Sequence, residues 1–361
     1  MRIVAAMSGG VDSSVVAGLL AEAGNEVIGV TLQLYDQGAA AGRKGACCAG
    51  SDIADARAVA DRIGIPHYVI DAEARFRAAV IDDFADSYAR GETPIPCVRC
   101  NQSVKFTDLL GLARDLGAEA MATGHYARRV DGPAGPELHR ARDPARDQSY
   151  FLFATTTDQL SFCRFPLGNM PDKASVRAEA ERMGLRVADK PDSQDICFVP
   201  SGRYTDLLEK LRPDALAPGE IVDVDGAVLG THAGLARYTV GQSKGLGPAS
   251  HVDGARQAVL ALDPATKRLT IGPRAAGRRT LALRDLNWLA DTDPVFRCDV
   301  KLRAREAPHP ATTTRHGTHH GTSAEIHLDT PALAAAGQAC VMYDGERMLG
   351  GGFIMPANAA H

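Results

Sequence analysis

The chain has 361 residues and is 45% apolar, with 40 Lys and Arg against 44 Asp and Glu, for a formal net charge of −4. That length accommodates two or three domains with a sizeable core. Mixed charge fits a globular chain, and no apolar run approaches the roughly 18 residues needed to cross a bilayer. A net negative chain has no global attraction for a polyanion, so any nucleic-acid surface has to be a local basic patch. MRIVAAMSGG runs straight into a strand and a glycine loop without the pattern of a removable signal peptide, so a cytoplasmic location with no membrane partner is expected. The cysteines Cys47, Cys48, Cys97, Cys100, Cys163, Cys197, Cys298 and Cys340 are too few for a disulfide scaffold of this size, which leaves some for reactive or metal-bound roles.

Residues 2–7 and 26–34 read as apolar strands around a helix over 12–23. A helix over 51–64, a strand at 67–71, helices over 76–90 and 103–116 and a strand at 118–123 continue the alternation. This pattern predicts an α/β fold with a doubly wound parallel sheet and ligands at the carboxyl ends of its strands. After about Pro200 the grammar changes: a turn at 216–219, the short strands IVDVDG and AVLGTH, and YTVGQSKGLG predict a small β-rich central domain. From about Arg278, FRCDVKLRAR, SAEIHLD and ACVMYDGERMLGGGFI alternate as in a small β-barrel, with a turn at Asp344 and Gly345. The expected division is 1–203, 204–273 and 274–361. GPAGP at 132–136 reads as a turn, and GTHHGT, with His319 and His320, as an exposed hairpin loop, because no partner ligands stand at zinc spacing.

Ser8 to Ser14 spell SGGVDSS between the first strand and its helix. Gly9 and Gly10 lack a Cβ and let the backbone approach phosphate oxygens, while Ser8, Ser13 and Ser14 offer hydroxyls beside the unpaired amides of the helix N-terminus. The Lys that ends a GxxxxGK[ST] loop is missing, which points to a grip on pyrophosphate rather than to kinase or GTPase chemistry. SGGxDS resembles the signature of the N-type ATP pyrophosphatases, which split ATP between its α and β phosphates and pass AMP to an oxygen of the substrate.

TPIPCVRCN puts Cys97 and Cys100 in a Pro-rich loop ahead of the helix expected near Ser103, where the positive helix end and Arg99 would favour thiolate. A buried structural pair is the other reading. Cys197, in DSQDICFVPSG, is on its own either a small core residue or a functional one. KLRAR sets Lys301, Arg303 and Arg305 on one face of a period-2 strand, where they would track phosphates or be simply solvated.

Seven segments in order, AMSGGVDSS, TPIPCVRCN, TGHYAR at 123–128, RDQSYFL at 146–152, DSQDICF at 192–198, YTVGQSKGLG and MLGGGFI, resemble the tRNA-specific 2-thiouridylase family over nearly the whole chain. The resemblance implies a PP-loop, adenine nucleotide alpha hydrolase-like N-terminal domain, a small central tRNA-binding domain and a C-terminal β-barrel. It implies an enzyme that adenylates the C2 oxygen of the wobble uridine with ATP and Mg²⁺ and then replaces it by sulfur. The implied partners are tRNAs of the Lys, Glu and Gln type and a sulfur donor such as a cysteine desulfurase or a sulfur-relay protein. By motif position Cys197 would carry a persulfide, and Cys100 would be the catalytic cysteine that frees the sulfur by forming a disulfide with it. Ala6, Met7, Ser8, Gly9, Gly10, Val11, Asp12 and Ser13 would hold ATP, Leu32 would border adenine and Gly124 would approach the nucleotide. The tRNA contacts would be Ile95, Pro96 and Cys97 at the target base, then His125, Arg146, Asp147, Gln148, Arg303, Ala304 and Gln338. Read without the family, His125 is either a site residue or a hydrogen-bonded core histidine.

The chain departs from the family pattern at Cys97, where many relatives carry an acidic residue suited to acid or base work near the uracil, and at Ser243, where an Arg often stands. Cys97, Cys100 and Cys197 would also supply three corners of an iron–sulfur cluster, a reading not favoured over the persulfide. The rivals are another enzyme of the same loop family, such as an amidotransferase-type ligase, and a non-catalytic tRNA-binding protein. The ligase lacks support from a Cys after the initiator Met, and the binding protein would not need the ATP loop.

Overall fold

The computed structural model describes residues 1–35, 48–192, 196–199, 203–252, 254–317 and 323–357. His319, His320, Cys47 and residues 193–195 of the DSQDICF segment lie outside the described residues. The chain forms two compact units, one of Met1–Val80, Cys97–Pro200 and Glu346–Met348, the other of Ile81–Pro96, Ser201–Gly345 and Leu349–His361.

In the first unit, β1 (Arg2–Ala6), α1 (Val11–Glu22), β2 (Glu26–Gln33), α2 (Cys48–Ile63) and β3 (His67–Asp71) follow the expected alternation. The stretches Glu73–Phe76, Arg77–Ile81 and Asp82–Ala89 run on as helix α3, which continues into the second unit. Helix α4 comprises Pro96–Arg99, Cys100–Leu109 and Leu110–Asp115. β4 (Ala120–Ala122), the hairpin β5 (Ala127–Gly132) and β6 (Gly135–Arg140), α5 (Thr157–Phe162), β7 (Cys163–Arg164) and α6 (Lys173–Arg182) complete the unit. The sheet has the order β3-β2-β1-β4-β7 with all neighbours parallel. β1 is central because RIVAA offers apolar side chains to both faces: Ile3, Val4 and Ala5 are all buried. Val15, Val16 and Ala17 of α1 pack into the same core, and each buried valine contributes roughly 1.5–3 kcal/mol.

α4 corrects one expectation. The helix begins at Pro96, seven residues before Ser103, so Cys97 and Cys100 lie within its first turns rather than in a loop ahead of it. Proline suits this start, since its fixed φ and missing N–H cost nothing in the first helical turn. The stretch from Cys100 to Leu109 is wound as a π-helix, with the Thr107 hydroxyl donating to the Gln102 carbonyl five residues back.

In the second unit, α7 (Tyr204–Leu211) leads to a central sheet of β8 (Gly219–Val222), β9 (Val228–His232), β10 (His251–Val252), β11 (Ala255–Asp263) and β12 (Arg268–Pro273), in the order β10-β11-β12-β8-β9. Ile221, Val259, Leu269 and Ile271 form its core. The strands β13 (Arg278–Trp288), β14 (Val295–Lys301), β15 (His309–His316), β16 (Ser323–Ala332), β17 (Ala339–Asp344) and β18 (Arg347–Ile354) follow in the order β13-β16-β15-β14-β17-β18. A further β13–β18 pairing closes them into a barrel. Leu281 stands opposite Ile326 in the β13–β16 register, and both point into the barrel with Leu283, Leu328, Cys340 and Met342. The Asp344–Gly345 region forms the last turn as expected, with Gly345 at φ 56°.

The barrel corrects a second expectation. β14 ends at Lys301, so Lys301, Arg303 and Arg305 do not share a strand face. Lys301 is buried and its ammonium donates to the Ala304 carbonyl at 2.7 Å, which ties the chain into a turn where the period-2 pattern would have continued it.

Candidate active site

The chain passes from β1 to β2 and β3 on one side of the first sheet and returns to β4 on the other, so the strand order reverses between β1 and β4. At such a reversal the loops diverge and leave a crevice. Here a cleft of about 240 Å³ opens at the carboxyl ends of these strands. Ala6, Met7, Ser8, Asp12 and Ser13 line it from the β1–α1 crossing, Val30, Leu32 and Leu34 from β2 and its exit, and Thr123, Gly124 and His125 from the end of β4. Lys105 and Leu109 of α4 and Gln148 complete the wall. Gly9, Gly10 and Val11, also expected at the nucleotide, do not line the cleft; the Val11 side chain is buried in the core.

The loop is held by its own hydroxyls. Ser13 Oγ accepts from the Ser8 N–H at 3.0 Å and donates to the Gly10 carbonyl at 3.2 Å, which Ser14 Oγ also reaches at 2.8 Å. Gly10 is the N-cap of α1 and brings no side chain of its own, so the first amides of the helix stay available to an anion. Gly9 has φ +75°, and a Cβ there would stand 2.1 Å from the Asp52 carbonyl oxygen. Gly124 is also confined, since a Cβ would meet Ser13 N at 3.0 Å and crowd the N-terminal end of α1. From below, the Met7 N–H donates to Val30 O at 2.8 Å and Thr31 Oγ1 to Met7 O at 2.7 Å.

The charge missing from the loop sequence stands beside it in space. Lys173, the first residue of α6 and buried, donates to both carboxylate oxygens of Asp12 at 2.7 and 2.8 Å and pairs with Asp192 at 2.8 Å. Tyr126 OH donates to Asp12 Oδ1 at 2.7 Å, and Arg146 Nη1 to Asp192 Oδ2 at 2.6 Å. Burial works against the charge on Asp192, yet Lys173 and Arg146 hold its carboxyl below the usual range. Burial, and then the bond to Asp12, push the Tyr126 phenol upward. Nothing in the apolar periodicity marks Lys173, but a lysine in the first turn of a helix opposes the helix dipole, and that is the signal by which it was detectable.

Among the cysteines, Cys97 is exposed, Cys100 is buried and Cys197 is exposed; all three are free thiols. Burial pushes the Cys100 thiol up, Lys105 opposes the shift and Cys97 adds to it. Its place inside α4 therefore overturns the thiolate expected from a helix end. Cys197 has solvent on one side, but the protein atoms packed around its sulfur, followed by Cys100 and Cys97, push its thiol up to about 12. Both Cys100 and Cys97 thus lie close enough to act on the Cys197 thiol. Among the described residues no group of three His, Cys, Asp or Glu side chains is arranged to hold a metal ion.

His125 Nδ1 lies 2.8 Å from Thr123 Oγ1, with the Phe106 and Phe165 rings about it at 6.1 and 6.3 Å. Desolvation, then the Lys105 charge, hold its imidazole well below the usual value, so it is neutral near pH 7. Gln148 Oε1 accepts from the Tyr126 N–H, while Asp147 accepts from the Ala141 and Ser149 amides and the Ser149 hydroxyl and so shapes the turn. In the second unit Ile95 and Pro96 are buried. Gln338 Nε2 donates to the Thr93 carbonyl at 2.9 Å and steadies the segment leading to Ile95. Arg303 Nη2 donates to the Val240 and Leu333 carbonyls, and the Ala304 carbonyl is taken by Lys301.

Comparison with known proteins gives the family. The family described as tRNA methyl transferase HUP domain matches residues 1–201, the tRNA methyl transferase PRC-barrel domain 205–273 and the Aminomethyltransferase beta-barrel domain 278–354. The chain is 68% identical to tRNA-specific 2-thiouridylase MnmA of Acidiphilium cryptum (strain JF-5), over 98% of this chain and 100% of that one. It is 62% identical to the protein of the same name from Gluconobacter oxydans (strain 621H), over 99% and 100%, and 59% identical to that of Rhodospirillum centenum (strain ATCC 51521 / SW), over 99% and 93%. A switch-point cleft behind an SGGVDSS loop, three family models that together span nearly the whole chain and full-length identity at this level lead to one assignment: the chain belongs to the tRNA-specific 2-thiouridylase family.

Proposed function

We propose that this protein is an ATP-dependent tRNA sulfurtransferase that makes 2-thiouridine at the wobble position of tRNAs of the Lys, Glu and Gln type. The observation that carries the reading is Lys105: it lines the nucleotide cleft and acts electrostatically on Cys100, Cys197 and His125 together, so the nucleotide site and the cysteine pair share one neighbourhood. ATP would lie with its phosphates on the Ser8–Ser13 loop and its adenine against Leu32. Mg²⁺ arriving with ATP would neutralise phosphate charge opposite Asp12, the carboxylate on the cleft wall.

The uracil C2 oxygen attacks the α phosphorus, the α–β bridging bond breaks and pyrophosphate leaves. The outer sulfur of a persulfide on Cys197 then attacks C2, the bond from C2 to the AMP oxygen breaks and AMP departs. Cys100 gives its proton to solvent and as the thiolate attacks Cys197 Sγ; the electron pair of the broken S–S bond stays with the sulfur now on C2, and a thiol reductant later reopens the Cys100–Cys197 disulfide. The raised thiols keep both cysteines largely protonated at rest, which limits idle oxidation. We place the enzyme in the cytoplasm, where ATP, tRNA and a reducing pool meet; among the described residues no helix is long and apolar enough to cross a membrane.

The test is anaerobic incubation of the protein with unmodified tRNA for Lys, Glu or Gln, ATP, Mg²⁺, cysteine and a cysteine desulfurase, followed by nucleoside mass spectrometry. 2-Thiouridine should appear with AMP and be lost in Cys197→Ala. Folded protein that yields neither product contradicts the assignment.

A further inference from the structure

Behind the phosphate loop lies a second lysine that no motif singles out. Lys190 Nζ donates to the Gly9 carbonyl at 2.9 Å, to Asp52 Oδ1 at 2.6 Å and to Asp55 Oδ2 at 2.6 Å. These three bonds use its three donors. Its backbone is fixed too: Arg177 of α6 donates to the Lys190 carbonyl at 2.9 Å and to the Ala188 carbonyl. Asp55 is shared with Arg186 at 2.7 Å. The Asp52 carbonyl closes on Gly9 from the same side, at the position a Cβ would need.

We infer that Lys190 is a positioning residue for ATP, which sets the phosphate loop by holding the Gly9 carbonyl from behind. The peptide joining Gly9 to Gly10 is the one at stake. With Gly9 at φ +75° nothing in the loop sequence fixes that peptide's direction, because glycine adopts the mirror conformations about as readily. A carbonyl pulled toward Lys190 turns the N–H of the same peptide the opposite way, toward the helix end that receives an anion. Asp52 and Asp55 neutralise the ammonium, so its contribution is direction rather than net charge at the phosphates. The ammonium is held in its charged form by these same partners even though burial opposes it.

This deepens the proposed function and rests on it, since the loop is taken to bind ATP. The experiment is a titration of Mg²⁺ with AMPPNP into the full chain in the absence of tRNA, so that its α–β bond meets no acceptor, beside steady-state AMP formation with tRNA and thermal unfolding. Lys190→Met, which keeps the stem and removes the donors, should weaken AMPPNP binding by roughly tenfold or more, the scale of one lost charge-assisted bond. KM for ATP should rise in parallel, with kcat at saturating ATP within about threefold of the parent. Because that variant leaves two carboxylates facing each other, Lys190→Met with Asp52→Asn is the control: Asp55 keeps Arg186, stability should return, and the ATP defect should remain. Recovery of affinity along with stability, or wild-type affinity in Lys190→Met, overturns the positioning role. Failure of the unmutated protein to bind AMPPNP overturns the ATP-site reading itself, and this inference with it.

Discussion

Lys173 Nζ stands 2.7 and 2.8 Å from the two carboxylate oxygens of Asp12, so a helix begins on a cation in order to meet the acidic residue of the nucleotide loop. The same ammonium reaches Asp192, five residues before Cys197, which joins the loop that would bind ATP to the stretch of chain that leads to the sulfur-bearing residue. Loss of the lysine would leave two partly buried carboxylates without their common partner. Lys173→Met should lower stability by about 2 kcal/mol, less than for a fully buried pair because both acids retain some water. The urea midpoint measures this, and Lys173→Met with Asp12→Asn should recover part of it while AMP formation stays lost.

The cysteines should differ in reactivity. Cys97 is exposed, Cys100 is buried and raised, and Cys197 is raised to about 12. Iodoacetamide labelling at about pH 8, read by peptide mass spectrometry, should modify Cys97 first and Cys100 last. The rate at Cys197 should keep climbing as pH rises toward about 10, because its thiolate fraction is still growing there. Labelling of Cys100 before Cys97 would contradict the burial order.

His125 gives a pH dependence with a definite sign. Its folded imidazole titrates well below an unfolded value of about 6.5, so the unfolded chain binds the extra proton first. The neutral ring's contribution is intact above about pH 6.5 and is lost as pH falls through that value toward the folded one. Urea midpoints should therefore drop less steeply from about pH 7.5 to about pH 5.5 in His125→Asn than in the unmutated protein.

Gly124→Ala should act on nucleotide binding more than on folding. Its new Cβ would press on Ser13 N at 3.0 Å and on the Asp12 carbonyl carbon at 3.2 Å, at the helix end where the phosphates are proposed to lie. KM for ATP should rise several-fold, while the melting temperature falls by only a few degrees, a shift of about 1 kcal/mol.

Arg303 and Arg305 should separate. Arg303 serves two carbonyls, so Arg303→Ala should cost about 1–2 kcal/mol of stability. Arg305 is exposed, so Arg305→Ala should leave the melting temperature unchanged. If Arg305 meets a tRNA phosphate, it should also reduce the salt dependence of tRNA binding by about one ion.

Much of the first unit was legible because its information is local. RIVAA, SGGVDSS and the apolar helix behind them announce a strand, an anion loop and a helix within about twenty residues, and the strand order then fixes where the cleft opens. Seven of the expected nucleotide residues line that cleft: Ala6, Met7, Ser8, Asp12, Ser13, Leu32 and Gly124. Less was legible where a distant partner decides. TPIPC reads as a loop by its prolines, yet Pro96 opens a helix and carries Cys100 inward. KLRAR alternates like a strand, but Lys301 finds the Ala304 carbonyl and the strand stops. Lys173 and Lys190 escaped because their partners at the phosphate loop and behind it, Asp12 for one and Asp52 and Asp55 for the other, lie more than a hundred residues away in sequence, where no spacing rule reaches. The grouping of 81–96 with the second unit was hidden for the same reason: Asp86 pairs with Arg212 and Glu92 with Arg284.

In the proposed reaction the tRNA C2 oxygen itself becomes bonded to AMP before sulfur arrives. The most direct measurement uses tRNA carrying ¹⁸O at C2 of the wobble uridine, turned over with ATP, Mg²⁺ and a persulfide donor, with the released AMP analysed by mass spectrometry. One ¹⁸O should appear in the AMP phosphate for each 2-thiouridine formed. Unlabelled AMP accompanied by thiolation would mean that the C2 oxygen leaves by another route, and the adenylation chemistry assigned to the SGGVDSS cleft would be wrong.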